Sequence, residues 1–236
     1  MSWNEVVQTV TPYIVKIETP DGYGTGFLCL YNENQNLCGI ATAYHVVRDA
    51  EDWQQPIRIL HHDSTTSTFL KEGHRVIRYN ARNDSAVILI DRGELGFPEQ
   101  PLPLLPTDTV LNVGSEVGWL GFPSITPNTL CFFSGNISAW WEASHTYLID
   151  GVAISGVSGG PVLCVTNAQP QIVGTISAYR AGEVSGATTP GLAFAQDVSH
   201  LHDVASGILS IEEEIRQQQQ TQEQPPIPTP PTEHPN

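Results

Sequence analysis

Three short segments carry residue types suited to nucleophilic acyl transfer. The first is Thr42-Ala43-Tyr44-His45-Val46-Val47, at the end of an apolar run. The second is Asn83-Asp84-Ser85-Ala86-Val87-Ile88, with Asp84 opening another apolar run. The third is Gly156-Val157-Ser158-Gly159-Gly160-Pro161. A serine hydroxyl is a weak nucleophile at neutral pH and needs an adjacent base. Histidine is the side chain best suited to take that proton near pH 7. A carboxylate can then hold the imidazole in the right tautomer and stabilise the imidazolium. Glycine at 156 permits a backbone that aims the N–H groups of Gly156 and Ser158 at a developing oxyanion, and each such donor is worth about 2.7–4 kcal/mol in comparable enzymes. Gly159 and Gly160 leave room beside the nucleophile for a substrate backbone. The chemistry needs no cofactor and no metal. Each segment alone is a weak signal; their order, His then Asp then Ser, is the specific one.

The elements that must position these residues read as strands. Apolar runs are short and rich in β-branched or aromatic residues, among them Tyr13–Ile17, Thr25–Tyr31, Gly39–Val47, Ala86–Asp91, Glu116–Leu120, Gly135–Trp140, Pro161–Val165 and Gln171–Tyr179. Turn-forming clusters such as Asn32–Asn36 and Pro123–Asn128 separate them. About a dozen such runs suit two barrels better than one. Pro98, Pro101, Pro103 and Pro106 exclude a central strand and read as an extended linker. The expected organisation is therefore a first barrel over residues 1–95 with His45 and Asp84, a linker over 96–106, and a second barrel over 107–197 with Ser158. Leu201, Val204, Ala205, Ile208, Ile211 and Ile215 recur at helical spacing and predict a helix over 198–215. Residues 216–236 are rich in Gln and Pro and read as a disordered tail.

Charge narrows the partners. Residues 1–92 carry 8 basic and 11 acidic side chains, a net of −3; residues 93–236 carry 2 and 14, a net of −12. Phosphate backbones and anionic membranes recruit clustered Lys and Arg, so neither nucleic acid nor membrane is an expected partner. A polypeptide fits the field better. No apolar run approaches the 18 residues of a spanning helix, and the first residues show no basic segment followed by an apolar one. Cys29, Cys38, Cys131 and Cys164 form no CxxC pair and no metal-ligand spacing. Reduced thiols and a cytoplasmic location are the expectation. Cys29 and Cys38 flank a hairpin loop and read as small buried hydrophobes. His61, His62 and His74 lie in polar sequence and read as solvated, and Glu212–Glu214 as a solvated helix face.

The chain resembles the chymotrypsin-fold, trypsin-like serine proteases, and within them the HtrA/Deg-type protease domain without a PDZ domain. The likeness runs over about residues 5–205. It is carried by Gly24-Thr25-Gly26-Phe27, Thr42–Val47, Asp84, Gly121-Phe122-Pro123, Ser134–Ser138, the Ser158 motif and Leu192–Ala195. The resemblance implies an all-β fold of two six-stranded antiparallel barrels with a C-terminal helix and the active site in the cleft between the barrels. It implies a serine endopeptidase with His45, Asp84 and Ser158 as triad. Val152, Ala153 and Ile154 would line the primary specificity pocket, and Ser177, Ala178 and Tyr179 would bind substrate backbone. Val152 stands at the pocket base where no acid supports Lys or Arg selection, so aliphatic residues are the expected choice. Val157 replaces the aspartate by which zymogen-derived relatives pair with a freed N-terminus. The rival readings are a protein of this fold that binds polypeptides without turnover, and one that acts only after an activating protein partner orders its loops.

Overall fold

In the computed structural model, residues 1–223 are described except 65, 94, 185 and 186, and no side chain is described at 179–184, 187–190 or 220–223. The apolar runs of the first half form β1 (Ile14–Thr19), β2 (Gly22–Tyr31), β3 (Leu37–Ala43), β4 (Ile57–His61), β5 (Ser67–Leu70), β6 (Val76–Asn80) and β7 (Ser85–Asp91). They pair antiparallel in the order β5-β4-β1-β2-β3-β7-β6. The second half forms β8 (Glu116–Gly121), β9 (Cys131–Trp141), β10 (Thr146–Asp150), β11 (Pro161–Thr166), β12 (Gln169–Val184) and β13 (Ala187–Asp197). These close into a six-stranded barrel in the order β10-β13-β12-β11-β8-β9. The architecture is the chymotrypsin-like, all-β one.

The first half departs from the expected barrel in one respect: it is a curled seven-stranded sheet that does not close. Between β5 and β6, the Arg75 guanidinium is buried and donates to Leu70 O at 3.1 Å and Ala50 O at 3.0 Å.

Two cores hold the halves. Val15, Leu28, Ile40, Ile59 and Ile88 fill the curl of the first sheet. Trp119, Ile137, Tyr147, Val162 and Ile176 fill the second barrel, and that cluster continues into Phe27, Ala41 and Val87 of the first sheet. The junction is thus apolar, and the cleft opens at its rim. The Pro-rich segment belongs to this packing too. Leu102 and Leu105 are buried, and Leu105 N–H donates to Ile172 O at 2.7 Å. It runs along β12 and is no solvated spacer.

Among the described residues, three α-helices flank the strands. α1 (Trp3–Val10) was not apparent in the pattern of the sequence; Ser2 and Glu5 form a capping box, and Val6 and Val10 are buried. Trp3 donates to Glu116 at 2.8 Å and so straps α1 to the second barrel. α2 (Tyr44–Asp52) takes over residues that read as the end of a strand. α3 spans Ser199–Glu223, past the expected end at 215. Glutamine and glutamate favour helix once a helix is started, so the lack of apolar residues does not end it. Residues 224–236 of the expected tail lie outside the described residues. Glu212, read as solvated, accepts from Asn32 Nδ2 at 2.9 Å and from the Glu33 N–H at 3.2 Å, and Arg216 pairs with Glu33. These contacts tie α3 to the β2–β3 hairpin. Its other anchor is Leu201, which is buried in the second core. Leu201→Ala is expected to lower unfolding free energy by about 2–5 kcal/mol. Urea titration checks this; a change below about 1 kcal/mol would show that α3 is not docked on the barrel.

Candidate active site

Strand register brings the first two residues together. β3 pairs antiparallel with β7 so that Ala43 faces Ser85. The residues just beyond the end of β3 and just before the start of β7 must then be neighbours. α2 begins at once after β3, which places His45 in its first turn. Ala43 at the N-cap offers no side-chain cap. Asp84 supplies it: Oδ1 accepts from the His45 N–H at 2.9 Å, and the Asp84 carbonyl accepts from the Tyr44 N–H at 3.1 Å. Asp84 itself turns with φ +46°, a left-handed conformation that aspartate tolerates better than most residues.

The same carboxylate orients the imidazole. Asp84 Oδ2 lies 2.8 Å from His45 Nδ1 and accepts from the Ser177 hydroxyl at 2.7 Å. A carboxylate can only accept, so Nδ1 carries the proton and Nε2 is left with a free lone pair. Burial pushes the Asp84 carboxyl up. The hydrogen bond and charge of His45, then the Ser177 hydroxyl and the His45 N–H, more than offset this and hold it below the ordinary carboxylate range. Asp84 is therefore ionised throughout the neutral range.

Ser158 comes from the second barrel, on the loop that precedes β11. Ile154 to Val157 form a tight turn: the Val157 N–H donates to Ile154 O at 3.0 Å, and Gly156 has φ +93°. This is the type II geometry, which requires glycine at that place. A Cβ on Gly156 would meet Phe122 O at 2.3 Å and the Tyr23 ring at 2.7 Å. Gly159, at φ +87°, lies against β2 and β3; a Cβ there would meet Thr25 O at 2.0 Å. The Gly159 N–H donates to Ile176 O at 2.7 Å and the Gly160 N–H to Val157 O at 2.9 Å. Among the described residues, the N–H groups of Gly156 and Ser158 have no protein acceptor, which leaves both available to an oxyanion.

His45 and Ser158 line two cavities that meet at them. One, of about 390 Å³, is lined also by Asp84, Ala153, Ile154, Ile176, Ser177 and Ala178. The other, of about 340 Å³, lies toward Tyr23, Val46, Ser124 and Gly156, with Asp21 and Asp49 at its wall. The arrangement sets an imidazole, a hydroxyl and two N–H groups without a protein acceptor among the described residues beside two adjoining depressions. Among the described residues there is no group of three His, Cys, Asp or Glu side chains set to hold a metal.

Most of the expected site residues converge here. Ala153, Ile154, Ser177 and Ala178 lie on the first cavity. Val152 does not: its side chain is 51 % exposed. Ala153 and Ile154 line the cavity without Val152, and Ile176 joins that wall. The side chain of Tyr179 lies outside the described residues. Two hydroxyl contacts were not legible in the sequence. Ser177 holds Asp84 through its hydroxyl, and Thr25 touches the Gly156 turn. Ser177 was expected at the substrate backbone and not as a partner of Asp84, while Thr25 stood in the Gly24-Thr25-Gly26 run without an assigned role.

Residues 24–174 match the trypsin-like peptidase domain. The chain belongs to that family. The matched span contains His45, Asp84 and Ser158. No curated protein matches the peptidase chain by sequence. Among solved structures, it is similar to the serine endoprotease from Yersinia pestis, with a TM-score of 0.62 and 19 % identity over 89 % of this chain and 67 % of that one. It is also similar to Deg5, with a TM-score of 0.62 and 21 % identity over 85 % of this chain and 90 % of that one. At these identities the likeness is one of fold, and it agrees with the Deg-type resemblance carried by the sequence motifs.

Proposed function

We propose that this trypsin-like peptidase is a serine endopeptidase with His45, Asp84 and Ser158 as its triad. Ser158 Oγ attacks the carbonyl carbon of a peptide bond and passes its proton to His45 Nε2. The imidazolium is stabilised by ionised Asp84. The carbonyl oxygen, now negative, takes the N–H groups of Gly156 and Ser158. Collapse of the intermediate breaks the C–N bond, and His45 returns the proton to the leaving amine. Water then repeats the sequence and frees Ser158. The acyl part of the substrate occupies the cavity of Ala153, Ile154 and Ile176, and the leaving part the cavity of Tyr23 and Asp21.

The observation that carries this reading is the Asp84–His45 pair, with His45 lining the same two cavities as Ser158. The substrate is a polypeptide, in keeping with a chain of net charge −15. A cytoplasmic setting agrees with the cysteines, all four of which are unpaired. Burial pushes the thiols of Cys29 and Cys38 up, Cys38 to about 12, so both stay protonated near neutrality.

A fluorophosphonate probe tests the reading. Such a probe forms a covalent bond only with an activated serine. The wild-type chain is expected to be labelled, and Ser158→Ala is not. A wild-type chain that stays unlabelled would overturn the proposal in favour of a latent or non-catalytic polypeptide-binding protein, and rescue of labelling by an added protein would separate those two.

A further inference from the structure

We infer that Thr25 is the positioning residue of the oxyanion site, through a hydroxyl that clamps the Gly156–Val157 peptide from the opposite half of the molecule. The inference rests on the peptidase reading above and adds to it the group that holds the donor loop in shape.

The need for a clamp follows from Gly156. Glycine passes between positive and negative φ at little cost, so the turn that frees its N–H does not enforce itself. The peptide planes on either side of Gly156 must be held from outside. The first ends in the Ser155 carbonyl, which accepts from the Ser124 N–H at 2.7 Å. The second ends in the Gly156 carbonyl, which accepts from Thr25 Oγ1 at 2.8 Å. An ion pair cannot do this work within the loop, because residues 151–160 contain no charged side chain. Val157 is fully buried among apolar residues and gives packing without direction.

Thr25 is well placed for the task. It is fully buried on β2, a central strand of the first sheet. Its hydroxyl spends both capacities on the second half: it donates to Gly156 O and accepts from the Phe122 N–H at 3.1 Å. With the proton committed to Gly156, the hydroxyl cannot turn without losing the Phe122 bond or the Gly156 bond. The Thr25 N–H adds a third tie, to Ser158 O at 2.8 Å. Thr25 therefore fixes both the turn that carries one oxyanion donor and the residue that carries the other donor and the nucleophile. Side chains held on rigid strands place a site more closely than loops can hold themselves.

Thr25→Val keeps the shape and removes the hydroxyl; Thr25→Ser keeps the hydroxyl and removes the methyl. On a reporter peptide, Thr25→Val is expected to lower kcat by about 10²–10³-fold, the effect of losing one oxyanion donor, with KM little changed. Thr25→Ser is expected to restore most of kcat. Fluorophosphonate labelling should slow in the same order. Melting curves establish that each variant is folded at the assay temperature. Should Thr25→Val fail to fold, Thr25→Cys replaces it, since its S–H is only a weak donor. A folded Thr25→Val with kcat near that of the wild type would overturn the inference. So would a Thr25→Ser variant as impaired as Thr25→Val, which would assign the effect to the methyl group. A wild-type chain that neither labels nor cleaves would instead overturn the peptidase reading, and this inference with it.

Discussion

Replacing Asp84 by asparagine is expected to lower kcat by about 10⁴ while leaving the fold and KM largely in place. The size follows from what the carboxylate does here. Both Asp84 oxygens accept: Oδ1 from the His45 N–H, Oδ2 from the Ser177 hydroxyl and from His45 Nδ1. An asparagine can keep one carbonyl oxygen and must present an NH₂ group in place of the other. If the NH₂ faces His45 Nδ1, that nitrogen becomes the acceptor and Nε2 carries the proton. His45 can then no longer take the Ser158 proton. If the NH₂ faces the His45 backbone N–H, two donors oppose one another at the start of α2. Either choice removes the charge that stabilises the imidazolium. Reporter-peptide kinetics with active-site titration would check the prediction. Near-normal turnover would show that Asp84 is not the orienting acid, and Asp91 would be the next candidate to test. Asp84 also links the site to pH. Its folded-state pKa is depressed, so its contribution to stability is complete above the ordinary carboxylate range and is lost as pH falls through the folded value. Asp84→Asn should therefore remove part of the loss of stability seen on acidification.

The three residues of the proposed triad stand out in the sequence because each sits in a segment with local meaning. His45 follows an apolar run, Asp84 opens one, and Ser158 stands in a cluster of glycines. What joins them was not local. The register that sets Ala43 against Ser85 is decided by the apolar faces of β3 and β7 together. α2 was hidden for a related reason. Val46 and Val47 continue an apolar, β-branched run, and the switch to helix depends on a cap from Asp84, 39 residues away. The hydrogen bonds of Thr25 and Ser177 were not legible because a hydroxyl in a strand carries no sign of its partner. Both partners, Gly156 and Asp84, lie across the junction of the two halves. The burial of Arg75 was hidden likewise, since its acceptors on Leu70 and Ala50 leave no sign in the residues around it. Features set by neighbours in sequence were readable, and features set by contacts between residues distant in sequence were not.

The same limit governs substrate choice, where the structure moves the expectation from Val152 to Ile176. The cavity on the acyl side is lined by Ala153, Ile154, Ile176 and Ala178 beside Ser177. Ala153 is buried and Ile176 almost fully so. Such a wall suits Val, Ala, Ile or Leu before the cleaved bond. Discrimination among these should be mild, since one methylene is worth only about 1–3 kcal/mol. A lysine or arginine is a different matter. Its charge would leave water and find no counter-ion. Among the described residues the only carboxylate on this cavity is Asp84, whose two oxygens already take three donors. The uncompensated desolvation is of the order of 4 kcal/mol, which is roughly a thousandfold in kcat/KM. A polar but neutral side chain should fall between the two. Cleavage of a peptide library, read by mass spectrometry, should therefore give aliphatic residues at the cut and almost no Lys or Arg. A dominant basic residue there would mean that a carboxylate reaches the pocket from elsewhere, and the assignment of Ala153, Ile154 and Ile176 as its wall would fail. The wall can also be tested from the protein side. Ile176→Ala enlarges the cavity without adding charge, so it should shift the preference toward larger apolar residues and leave basic ones excluded.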